Sequence, residues 1–158
     1  MEQKLETKKE GGGIGRGLEL ILVFAGAFLN MVVVVFFAVQ QAGISGGDVL
    51  HTLFPLLYFI EILGLSFLAL LPSIWSESGS DRPVWVPLLP WLAAGGLLAF
   101  VILGGLSIGF YLAPGMIAFI TAGILADRRQ GLSITGHVAA LFLAASVQVG
   151  IMLVVVAL

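Results

Sequence analysis

One carboxylate, Glu61, stands among eight apolar or small residues in LYFIEILGL, positions 57–65. An acid in such a setting takes and releases a proton, holds a cation, or ties one helix to another by a hydrogen bond. Asn30, Thr121 and Gln148 interrupt apolar stretches in the same way. None of these four is basic, so no salt bridge is expected among them. A carboxylate at a bilayer centre costs about 2.5–3.5 kcal/mol on insertion scales. Desolvation therefore leads us to expect a protonated Glu61 that donates to Asn30 or Gln148. The two histidines, His51 and His137, are secondary candidates. Either could extend a proton relay, although a ring nitrogen at a membrane interface is commonly just wet.

Small residues sit beside the polar ones at helical spacing: Gly26 and Ala27 before Asn30, Gly64 after Glu61, Ala118 before Thr121, Ala144 before Gln148. Offsets of three and four share a helix face. Small residues let membrane helices approach closely enough for polar groups to bond across them. The pattern predicts one mid-height polar layer formed by four helices. Tyr58 and Phe54 share the face of Glu61 and could line a cavity, although residues so placed are more often simply core.

Other chemistry is poorly supplied. There is no cysteine, and two histidines are too few to expect a haem or zinc site within one chain, so no metal or cofactor is expected. The glycines of the opening segment, MEQKLETKKEGGGIGRG, match neither the Walker nor the dinucleotide-binding spacing. No nucleophile–base pair is evident, so an enzyme is not expected. Seven Lys and Arg against nine Asp and Glu leave a net charge of -2, no footprint for nucleic acid.

The elements that must position these groups follow from composition. Of 158 residues, 59% are hydrophobic and 10% charged, against about 25% charged in soluble domains. An all-α polytopic membrane bundle is expected, partnered by the lipid bilayer and by copies of itself or a larger membrane complex. Residues 1–17 read as a mobile, charged and glycine-rich tail. Apolar helices are expected over about 18–42, 49–71, 90–109, 110–126 and 133–157. Asp48 is a candidate cap and Pro72 a stop for the second. The 37 residues from Pro90 to Ala126 carry no charge. One helix of that length would overshoot a hydrocarbon core of about 30 Å, so a turn is expected near Gly109–Tyr111. A re-entrant hairpin is the alternative for 110–126. The G-x-x-x-G of Gly105 and Gly109 reads as a packing motif.

With the N-terminus in the cytoplasm and five spans, all seven basic residues fall on the cytoplasmic side. The C-terminus is then outside. Trp75, Trp85 and Trp91 lie in or beside the expected cytoplasmic loop at about 73–89 and, with Arg128 and Arg129, read as interfacial anchors. From these ends, Glu61 and Thr121 lie roughly 16 Å deep and Asn30 roughly 18 Å, at 1.5 Å per residue. The expected function is an accessory or scaffold subunit that packs with itself or with a larger membrane complex. The alternative is a small oligomeric proton- or cation-coupled transporter or channel using Glu61. Compact loops and the absence of glycosylation sites suit a prokaryotic cell membrane.

Overall fold

The structure, a computed structural model, describes residues 3–44, 49–74, 83, 85–105 and 107–157, with side chains over 15–41, 43, 55–74, 83, 85–105 and 107–154. Five helices follow one another: α1 (Gln3–Ile44), α2 (Val49–Ile74), α3 (Leu89–Leu103), α4 (Ile108–Gln130) and α5 (Ile134–Ala157), with a short 3-10 turn at Val86–Leu88 leading into α3. All five contain stretches long and apolar enough to cross a membrane. Their outward faces carry large apolar side chains, among them Phe24, Phe28, Phe67, Phe110 and Phe142. In water such surface would be an aggregation liability, and in a bilayer it is solvated by lipid. Five such helices suggest a multi-pass membrane protein.

Helices α1, α2, α3 and α4 close a ring in which each packs against the next and α4 returns to α1; α5 lies outside, against α3. Helix α3 is therefore covered on nearly all sides, with about two thirds of its span buried against roughly a fifth to a third in the others. Its glycines permit this. A Cβ at Gly95 would overlap the carbonyl of Leu141 on α5, and one at Gly96 would press into Leu65 of α2. Gly26 of α1 makes the same allowance for Phe119 and Ala118 of α4. The ring's interior holds Ile62, Leu97, Leu112, Phe119 and Ala122, all fully buried.

Several boundaries differ from expectation. α1 is helical from Gln3, so it takes in the charged, glycine-rich stretch read as a mobile tail. The Lys and Glu residues there are good helix formers, and an apolar helix once nucleated extends at little cost. α2 runs past Pro72 to Ile74, with both Pro55 and Pro72 inside it. The α3–α4 turn lies at 104–107 rather than 109–111. Phe100 and Gly104 carbonyls accept the amides of Gly104 and Gly109, and Ser107 Oγ caps the Gly104 carbonyl. Gly109 belongs to the first turn of α4, where a side chain would strike the backbone of Gly104. The close contact across the turn is thus between Gly104 and Gly109, and Gly105 and Gly109 share no helix face. α4 continues unbroken through Pro114 for 23 residues, without a re-entrant break. It ends at Gly131, whose φ of 68° is the left-handed conformation that favours glycine. Trp75 and the adjoining loop, including Arg82, lie outside the described residues.

Candidate functional site

The expected single layer resolves into two separate ties. Asn30, fully buried inside the ring, donates from Nδ2 to Ser66 Oγ of α2 at 3.0 Å, and Ser66 Oγ donates in turn to the Ile62 carbonyl at 2.9 Å. Glu61 points elsewhere. Its Oε1 accepts from Gln148 Nε2 of α5 at 2.5 Å, and among the described residues Gln148 is its one hydrogen-bond partner. The separation has a geometric cause. Residues 61 and 66 are five apart, about 140° around a helix of 3.6 residues per turn. Ser66 therefore faces α1 inside the ring while Glu61 faces along the flank of α3 toward α5. Heights counted from helix ends set Asn30 beside Glu61, but tilt and end choice shift such counts by a turn or more.

Thr121 joins neither tie. Its side chain is exposed, and Oγ1 donates to the Ile117 carbonyl of its own helix at 2.8 Å. An exposed hydroxyl at this depth satisfies itself against its own backbone at no tertiary cost. Gly64 likewise has open space around it and marks no helix contact, whereas Ala144 and Ala118 do lie at helix contacts, beside Gly95 and Gly26.

The Asn30 tie has a third member. The side-chain carbonyl Oδ1 is buried without a hydrogen-bond partner and lies against Gly115 of α4, where any Cβ would overlap it. Only glycine lets α4 come so near, and its Cα hydrogens give the oxygen a weak contact.

A further polar group gathers where α4 ends and α5 begins. Asp127 is fully buried, and His137 Nδ1 lies 2.7 Å from its Oδ2. A carboxylate facing Nδ1 makes that nitrogen the donor. The ring of Trp91 lies 6.3 Å from that of His137, centroid to centroid. Trp91 is 1% exposed, so it is a core residue rather than the interfacial anchor expected. Its ring sits on Gly123, and both its Nε1 and Asp127 Oδ1 are buried without hydrogen-bond partners. Trp85, by contrast, is largely exposed. Arg129 pairs with Glu19 of α1 at 2.9 Å, and Arg128 is exposed in the same last turn of α4. Those two arginines also complement the negative end of the helix dipole. The side chain of His51 lies outside the described residues.

Between α2 and α5, on the α3–α4 turn side of the Glu61–Gln148 bridge, lies an apolar cavity of about 500 Å³. Tyr58 and Phe59 of α2, Phe100 and Leu103 of α3, and Met152 and Leu153 of α5 form its walls. It exists because α2 and α5 flank α3 without packing on each other. Tyr58 thus lines a cavity, its ring edge-on to Phe100 at 5.8 Å. Glu61 is three residues after Tyr58, and Gln148 four before Met152. The polar bridge therefore lies one helical turn beyond the cavity walls.

Sequence reasoning missed Ser66, Gly115 and the Asp127–His137 pair. For Asp127 a signal existed: a buried acid ten residues before a histidine, across a glycine-broken turn, suits an antiparallel helix pair. Among the described residues no group of three or more His, Asp or Glu is placed to hold a metal ion. Comparison with known proteins finds no family model, curated protein or solved structure that matches this chain.

Proposed function

We propose that this chain is an accessory or scaffold subunit of a prokaryotic cell membrane that packs with copies of itself or with a larger membrane complex and catalyses no reaction. One observation carries the reading. The buried or half-buried polar side chains are spent pairwise as ties between helices: Asn30 on Ser66, Glu61 on Gln148, Asp127 on His137. The ties are separate, without a line of ionisable groups from one end of the bundle to the other among the described residues. Interhelical bonds of this kind contribute about 0.6 kcal/mol each, up to about 1.7. The broad apolar faces of α1, α4 and α5 supply surface for a partner as well as for lipid.

A second reading, a small cation-coupled transporter, draws on the cavity beside Glu61. Two measurements separate them. Purification in mild detergent is expected to recover a stoichiometric partner or a defined homo-oligomer. Proton or solute flux into liposomes containing the pure chain, abolished by Glu61→Gln, would overturn the scaffold reading.

A further inference from the structure

We infer that the cavity between α2 and α5 is a binding site for a lipophilic cation, such as a hydrophobic amine or quaternary onium, whose charge is met by Glu61. The inference concerns binding alone and deepens the second reading of Glu61, but does not require that anything be transported.

Three observations converge on that ligand class. The first is size and wall chemistry. A volume of about 500 Å³ lies within the roughly 300–1,000 Å³ of small-molecule pockets, and its apolar walls with a few polar groups at one end are typical of them. The second is the aromatic content of the walls. Tyr58, Phe59 and Phe100 line the space from two helices. The face of an aromatic ring attracts a cation, by about 2 kcal/mol or more when water is excluded. The third is charge. Glu61 has a neutral amide as its partner. Of the described basic side chains, Arg16 lies at the start of the apolar span of α1 and Arg128 and Arg129 lie in the last turn of α4. Among the described residues Glu61 thus has no counter-ion, and a cation in the adjoining cavity supplies one. Gln148 occupies Oε1 and leaves Oε2 for the ligand.

A lipid acyl chain would fit the walls equally well but makes no use of the acid. A cation that carries its own apolar substituents uses both the walls and the acid one turn away.

The test uses tetraphenylphosphonium and tetraphenylborate, ions of the same shape and opposite charge. Their equilibrium binding to the full chain in nanodiscs of uncharged lipid is compared with that of empty nanodiscs. Saturable binding of the cation and not of the anion is expected. Glu61→Gln, which can still bond to Gln148, should weaken cation binding at least tenfold while leaving the thermal transition in place. Leu153→Trp, on an exposed wall position, should block the cavity without touching the polar bridge. Equal binding of the two ions would identify a general apolar cleft and overturn the proposal. So would unaltered cation affinity in Glu61→Gln, or no saturable cation binding to the folded wild type. If the cation binds as expected but no flux is found in liposomes, the site stands and the transporter reading falls.

Discussion

A single amide shows how little polar chemistry a membrane core tolerates without a dedicated arrangement. Asn30 spends its Nδ2 on Ser66, and its carbonyl oxygen has no ordinary donor. A buried unsatisfied acceptor costs about 1–3 kcal/mol, so the contact with Gly115 matters. Gly115→Ala should force Asn30 from its rotamer or push α4 away from α1. Overpacking of this kind costs about 1–3 kcal/mol, and the bond to Ser66 would go with it. We expect a clearly lower thermal transition in detergent for Gly115→Ala. Gly64→Ala, at a position with open space, should leave the transition unchanged or raise it slightly through better helix propensity. Equal effects at the two positions would mean that the Asn30–Gly115 contact carries no strain.

At the scale of the elements, α3 organises the bundle because it is the helix that the others cover. At Gly95 and Gly96 it presents only hydrogens to Leu141 of α5 and Leu65 of α2. Gly95→Val would place two methyl groups where the Leu141 carbonyl and Ala144 now sit. Helix α5 would have to lift from α3, breaking the Glu61–Gln148 bond. A destabilisation of about 3 kcal/mol, the upper part of the overpacking range, is expected. Gly150→Val, with nothing near it, serves as the control, and thermal unfolding of both in the same detergent reads the difference. The contrast between these glycines also explains what was legible in the sequence. Five apolar segments follow from hydropathy, and Gln148 is one of the two partners that rough height offers for Glu61, as acceptor where the structure makes it the donor. The split of the polar layer does not follow, because it depends on helix rotation. Hydropathy nearly uniform around each helix gives no face to align. Nor could the sequence distinguish Trp91 from Trp85, six residues earlier. Trp91 is buried because Gly123 of α4 leaves room for its ring, and that pairing joins residues far apart in the chain.

For the whole molecule, the ring of α1 to α4 with α5 on its flank places the α3–α4 turn at one end and the α4–α5 turn at the other. The distribution of basic residues predicts which end faces the cytoplasm. Arg128 and Arg129 sit at the α4–α5 turn, and Ser107 lies at the opposite turn, close to no basic residue in sequence. The chain has no cysteine, so single cysteines can report sidedness without background. Ser107 and Gln130 are both exposed, which makes Ser107→Cys and Gln130→Cys suitable probes. In intact cells a membrane-impermeant maleimide should label the first and spare the second, with the second labelled only after permeabilisation. The reverse pattern would invert the threading and move the Glu61 cavity to the cytoplasmic half of the membrane. Labelling of both cysteines from one side would mean that α4 does not cross. That would place the α4–α5 turn, with its buried Asp127 and His137, on the same side as the cavity mouth. The positive-inside rule argues against both outcomes, since its force is strongest for short loops such as these. It thereby ties the accessibility of the proposed cation site to the outer face, where a lipophilic cation partitioning into the outer leaflet would first meet it.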